Sequence, residues 1–333
     1  MAERSKDEII AEAKKLLAVI ADYWHKPTVE HIEHWLGQFD SEVRLSLITE
    51  LAHILSKSYL SAKKVEEFLK DLISSPKLVG KDRVSFWRNA NFFTAQQGGQ
   101  SQGELLALFD ALLNSELGFG LKACGSKNGP IIYLDDLLLS GNRLVNDLRA
   151  WIPAEAPKDC QLHAIFMGIH SGGSFYANKA TSEMATKAGK KLKLDLWRVL
   201  PFETFSNSGA AADVYRLRKL PDDEPTSRYI QEHVQGEPAL LRPEKESNKS
   251  KFFSSERQRD LLEQTFWSTG LHIREIARNL KETHRPLGYT SANSPNKLGF
   301  GAIVVTYRNC PNNCPLAYWV GDPWYPLFER KTN

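Results

Sequence analysis

The stretch that decides the fold is "IIYLDDLLLSGNRLVNDLRAW", residues 131–151. Four apolar residues read as a buried strand, with Asp135 and Asp136 at its carboxyl end. Three leucines, a Ser140–Gly141 turn and a helical run from Asn142 follow, so the spacing predicts strand, loop and helix. Two like charges side by side in such a place need a chemical reason. The first backbone N–H groups of a helix have no partner within it and favour an anion. Gly141 lets the backbone approach a ligand closely, and Ser140 adds a hydroxyl donor. Arg143 puts a cation in the first helical turn, against the helix dipole, and a bound phosphate would offset that conflict. Carboxylates accept well from vicinal sugar hydroxyls, at about 1.5–3 kcal/mol for each bond to a charged group. The residues therefore read as a cradle for a ribose phosphate. Asp135 and Asp136 would take the ring hydroxyls, and Ser140, Gly141, Asn142 and Arg143 the phosphate. The competing reading is two acids that merely cap a turn; the Ser-Gly placement before a helix start argues against it.

Working outward, short apolar runs at 91–95, 131–134, 162–169, 192–200 and 302–307 alternate with helix candidates at 103–114 and 142–151. That alternation predicts an α/β fold, a parallel sheet covered by helices, with ligands in the crevice beyond the carboxyl ends of the strands. The first 80 residues read instead as a small all-helical domain. Its four helices would begin at a Ser5/Glu8 capping box, at Pro27–Thr28, at Asp40 or Ser41, and at Ser61, with Pro76 after the last. The expected division is thus 1–80 and 81–333, the second part carrying a loop-rich insertion near 221–251 that holds four prolines and many charges. A helix from about Ser255 follows it.

Other segments offer weaker chemistry. "QQGGQSQG" at 96–103 follows a predicted strand, and Gly98, Gly99, Gln100 and Ser101 are the candidates for a pyrophosphate loop. An ordinary turn explains them nearly as well. "HSGGS" at 170–174 is a second glycine loop that would line the same crevice; it does not match G-x-S-x-G, so Ser171 is no candidate nucleophile. Asn309, Asn312 and Asn313 in "RNCPNNCP" offer amides to a nucleobase, or simply build a tight turn. His31 and His34 sit three apart on a predicted helix with no third ligand nearby, and Cys310 and Cys314 form a lone C-x3-C. Both are weak metal signals. No Walker A motif accompanies "IIYLDD".

Composition sets limits. The chain has 333 residues, 42% hydrophobic and 25% charged, as in an ordinary globular protein. A net charge of +3 does not argue for nucleic acid. The opening "MAERSKDEII" has no apolar core of the signal-peptide kind, no run is long enough for a membrane helix, and four cysteines suit a reducing compartment. The expectation is a cytoplasmic protein, with its oligomeric state left open, a homo-oligomer included.

"IIYLDDLLLSGNRL" resembles the 5-phosphoribosyl-1-pyrophosphate (PRPP) signature of type I phosphoribosyltransferases: four apolar residues, two acids, three more residues, then Ser or Thr and Gly. One departure is plain, since Asn142 and Arg143 stand where the usual loop ends in a second small hydroxyl residue. "HIEHWLGQFDSEVRLSLITELAHIL", "RPLGY" and "GFGAIVVTYRNCPNNCPLAYW" are similar to the PRTase-CE proteins of bacterial conflict systems. The resemblance implies a phosphoribosyltransferase-like sheet with a helical N-terminal part and PRPP or a nucleotide as ligand. It also implies Mg²⁺ as cofactor and chemistry at ribose C1′ by way of Asp135 and Asp136. It further implies a role in antiviral defence, in some cases beside the reverse transcriptase of a retron. A ligand sensor without turnover is the alternative that it leaves standing.

Overall fold

The computed structural model describes residues 2–94, 101–205, 211–234, 240–244, 249–292, 294 and 296–331. They form two compact units, Ala62–Phe202 and the pair of segments Met1–Ser61 and Glu203–Thr332.

The unit Ala62–Phe202 is built on a four-stranded parallel sheet in the order β1 (Asn91–Phe92), β2 (Ile131–Leu138), β3 (Asp159–His170), β4 (Lys191–Phe202). Four helices of this unit, α4 (Ala62–Ser74), α5 (Pro76–Val79), α6 (Arg83–Asn89) and α7 (Ser101–Leu117), precede β2, while α8 (Asn142–Ala154) and α9 (Ser171–Lys187) follow β2 and β3. Alternation along the strands fixes the layers. Ile131 and Tyr133 of β2, with Leu162, Ala164 and Phe166 of β3, share a core with Leu144, Val145, Leu148 and Ile152 of α8 and Ala177 and Ala185 of α9. Each parallel step crosses through a helix, as such sheets require. The loop after β2 and the start of α9, which follows β3 directly, therefore emerge together at the carboxyl edge.

In the other unit α1 (Ala2–Ile20), α2 (Val29–Gly37) and α3 (Arg44–Ser58) come from the N-terminal segment, and α10 (Glu224–His233), α11 (Glu256–Ile276) and α12 (Leu316–Trp319) from the C-terminal one. A short hairpin, β5 (His284–Arg285) with β6 (Gly288–Tyr289), lies between α11 and α12. The two segments are knit by main-chain and indole hydrogen bonds: Leu60 N–H to the Val305 carbonyl at 3.0 Å, Tyr307 N–H to the Leu60 carbonyl at 2.9 Å, and Trp35 Nε1 to the Ala317 carbonyl at 2.8 Å.

Several expectations are corrected. The helical N-terminal part is no free-standing domain ending near residue 80. Helices α1–α3 share a unit with the C-terminal segment, while α4 packs against α7 in the sheet unit. The run 302–307 is not a fifth strand of the parallel sheet. It is buried as far as Thr306, and among the described residues isolated bridges pair it: Thr306 with Leu60 and with Asn309, and Ala302 with Val214. The region 221–251 is not all loop, since Asp223 accepts from the Thr226 N–H at 2.8 Å and caps α10. Ser5 lies inside α1, and Val43 rather than Asp40 or Ser41 precedes α3, with no side-chain cap. Thr28 caps α2 as expected. Among the described residues no helix is long and apolar enough to cross a membrane.

Candidate functional site

β2 runs on past the acids to Leu138, held by pairing of Asp135 with Phe166, Leu137 with Gly168 and Leu138 with Ile169 on β3. Asp135 and Asp136 thus sit within the strand, four residues or fewer from its end, rather than beyond it. Neighbours on a strand project to opposite faces. Asp135 shares the face of Tyr133 and is 4% exposed, whereas Asp136 is half-buried.

Asp135 is well supplied with donors on one oxygen. Its Oδ1 accepts from the Ser101 hydroxyl at 2.8 Å and from the Asp136 N–H at 2.9 Å. Burial first, and the adjacent Asp136 carboxylate second, push its carboxyl up to about 7; Ser101, the Asp136 N–H and Arg143 act in the other direction. Asp136 Oδ1 accepts from the Leu137 N–H at 2.8 Å.

The loop after β2 turns on Gly141, whose left-handed φ of +80° a side chain would strain. Gly141 precedes α8, and its carbonyl receives the Val145 N–H at 3.1 Å. The Asn142 N–H reaches the Ser140 hydroxyl at 3.4 Å. The glycines expected to form a loop after β3 lie instead in the first turn of α9, which packs directly on this turn: a Cβ on Gly141 would lie 2.5 Å from the Gly173 carbonyl oxygen and 3.2 Å from the Tyr176 ring. Ser140 and Arg143 are exposed, and Arg143 Nε lies 3.7 Å from Asp147 Oδ2 one turn along α8.

Two residues of this arrangement were not singled out from the sequence. Tyr133 donates its hydroxyl to Asp147 Oδ2 at 2.7 Å and lies 3.5 Å from Asp135 Oδ2. The signals were present: Tyr133 is two residues from Asp135 on one strand, and Asp147 is four from Arg143 on one helix.

The structure thus brings Asp135, Asp136, Ser140, Gly141, Asn142, Arg143 and Ser101 together in the sheet unit. Gly98, Gly99 and Gln100 lie outside the described residues. Asn309, Asn312 and Asn313 belong to the other unit, where they hold turns. Asn309 Oδ1 accepts from the Lys331 N–H at 3.2 Å, Asn312 accepts the Tyr289 N–H on its carbonyl at 2.7 Å, and Asn313 Nδ2 donates to the Tyr289 carbonyl at 3.0 Å. His31 is engaged by the Tyr325 hydroxyl and the Leu327 carbonyl, and His34 stacks on Tyr325 at 4.0 Å. Cys310 and Cys314 are buried, and the described residues contain no cluster of three or more His, Cys, Asp or Glu suited to a metal ion.

A search of the curated proteins found no match to this chain. The family model of PRTase-CE matches residues 32–330, which takes in both units and the whole β2–α8 signature. The four-stranded parallel sheet flanked by helices agrees with a phosphoribosyltransferase-like fold, and the chain belongs to the PRTase-CE family.

Proposed function

We propose that this phosphoribosyltransferase-like protein binds PRPP or a nucleotide at the carboxyl edge of its sheet and acts at ribose C1′. The observation that carries the reading is the left-handed Gly141 turn opening α8, one loop beyond Asp135 and Asp136 on β2. The N-terminal turn of α8, the Ser140 hydroxyl and the exposed Arg143 would receive the 5′-phosphate. Asp136, half-buried, would accept from a ring hydroxyl, while Asp135 stands behind it in the strand. Their negative field would favour the positive charge that develops at C1′ as a leaving group departs.

Mg²⁺ is the cofactor that fits this reading, carried by the substrate's pyrophosphate and water rather than by a cage of protein ligands. Bound there it would neutralise the leaving group. Ser101 and the segment 96–100 before α7 are the proposed pyrophosphate side. Family membership supports a place in an antiviral defence system, with a reverse transcriptase and its nucleic acid as candidate partners.

A second reading has its own observation. Arg143 replaces a small hydroxyl residue of the usual signature and is paired with Asp147, an arrangement suited to holding a highly charged ligand without turnover. Calorimetric titration of PRPP with Mg²⁺ separates the two. Binding that Asp136→Asn and Arg143→Ala weaken at least about tenfold, a loss of about 1.4 kcal/mol, supports the site. Pyrophosphate released during the titration identifies an enzyme, and its absence a sensor. No binding by the wild-type chain overturns both.

A further inference from the structure

At the amino edge of the sheet, the end away from the acids and the glycine turn, the sheet unit holds a cavity of about 550 Å³. Small-molecule sites ordinarily measure about 300–1,000 Å³. The cavity lies where β1, the edge strand, and β2 begin, at Asn91 and its partner Ile131. The C-terminal end of α8 contributes Trp151 and Glu155, and the stretch from Gly125 to Gly129 adds a further wall. Two polar groups in this lining lack a partner among the described residues. Trp151 is 8% exposed and packs on Phe93 with ring centroids 4.9 Å apart, yet its indole N–H makes no hydrogen bond. That group can only donate, and buried donors are ordinarily paired. Asn91 gives its amide to the Ser126 carbonyl at 2.8 Å, which fixes its side chain and leaves Oδ1 to accept. Gly125, at a φ of +119°, keeps the approach to that oxygen clear, since a Cβ there would lie 3.5 Å from it. Lys127 and Glu155 are exposed, and neither forms an ion pair with the other or with any described residue.

We infer that this cavity is a second ligand site, for a nucleoside 5′-monophosphate, at the opposite end of β2 and α8 from Asp135 and Arg143. A nucleobase is planar and carries a donor and an acceptor on its edges, the complement of Asn91 Oδ1 and the Trp151 N–H. Its faces stack on aromatic rings such as those of Phe93 and Trp151. Ribose hydroxyls donate to a carboxylate, here Glu155, and a phosphate pairs with the ammonium of Lys127. Other ligand classes fit less well. A purely apolar molecule would leave the indole N–H and the Asn91 oxygen unpaired, at the cost of desolvating both. A bare anion would gain Lys127 but meet Glu155, and would leave the aromatic wall uncovered. The inference stands apart from the reading of the carboxyl edge, because no residue is shared between the two sites.

The indole N–H resonance of Trp151, identified by its loss in Trp151→Phe, reports on the cavity directly. AMP, GMP, CMP and UMP are the probes, titrated one at a time. At least one should shift that resonance saturably, with a Kd below about 1 mM, and should bind at least about fivefold more tightly than its own nucleoside. Lys127→Ala changes an exposed side chain and should erase the preference for the nucleotide over the nucleoside. The double variant Asp136→Asn/Arg143→Ala, at the other end of the sheet, should respond like the wild type. No shift with any of the four overturns the inference, as does a nucleoside that binds as tightly as its nucleotide, or a nucleotide preference that survives Lys127→Ala. A response lost in Asp136→Asn/Arg143→Ala also overturns it, and places the nucleotide at the carboxyl edge instead.

Discussion

Gly173 lies against Leu139 so closely that a Cβ on it would sit 2.0 Å from the Leu139 carbonyl oxygen. The first turn of α9 is therefore pressed against the loop after β2, backbone to backbone. Gly173→Ala must push the two apart, at about 1–3 kcal/mol for an overpacked site. Urea unfolding should show that loss. Sulfate or PRPP titration should show weaker binding than the stability loss alone explains, because the displaced loop is the one proposed to hold the phosphate. Unchanged binding in a folded Gly173→Ala protein would separate the start of α9 from the site.

The four cysteines divide by burial. Cys310 and Cys314 are fully buried, and burial holds the Cys314 thiol well above its ordinary range. Cys124 and Cys160 are part-exposed, with burial raising both more modestly. An aromatic disulfide reagent near neutral pH should label Cys124 and Cys160 slowly in the native protein, and Cys310 and Cys314 only after denaturation. Rapid native labelling of Cys310 or Cys314 would contradict their burial.

What the sequence made legible was local. The β2–loop–α8 stretch could be placed because an apolar run, a Ser-Gly turn and a helical period each carry their own signal. The end of β2 could not, since it depends on pairing with β3 and on Ser101 reaching Asp135 from α7. Periodicity on residues 62–74 showed that α4 has an apolar face but not that α7 receives it. The run 302–307 reads as a strand because β-branched apolar residues look alike in a sheet and in a buried extended segment. The charges and prolines of 221–251 hid α10, although Asp223 three residues before Thr226 is a capping signal.

Acid should loosen the unit that contains α1–α3. Burial of His31 lowers its affinity for a proton, with His25 and His34 adding to the effect and the hydrogen bond to the Leu327 carbonyl and Glu329 opposing it. The folded state therefore binds the proton less readily than the unfolded chain. The stabilisation is full above the ordinary histidine value of about 6.5 and is lost as pH falls through the lower folded value. Unfolding midpoints should fall as pH drops below about 6.5, and His31→Asn should be less stable at neutral pH but flatter across that acid limb. A wild-type curve no steeper than that of His31→Asn would refute the assignment.

The largest single loss is expected at Glu263. This buried carboxylate on α11 accepts from Arg259 Nε at 2.8 Å, Arg242 Nε at 3.0 Å and the Arg216 N–H at 3.1 Å. Burial raises its carboxyl, while Arg259 and Arg242 act against the shift. Arg242, with a fully buried side chain, also pairs with Glu256 and Asp260, and so ties residues 240–244 to α11. Glu263→Gln keeps the shape but leaves Arg259 without a carboxylate on its Nε and Arg242 with one fewer. Removing one partner of such a buried network typically destabilises by about 3–5 kcal/mol. Replacing Glu263 and Arg259 together, with Leu and Met, should recover part of the loss, because the double variant no longer buries an uncompensated charge. Urea unfolding of the two variants tests this, and a Glu263→Gln loss below about 1 kcal/mol would mean that water reaches these guanidinium groups.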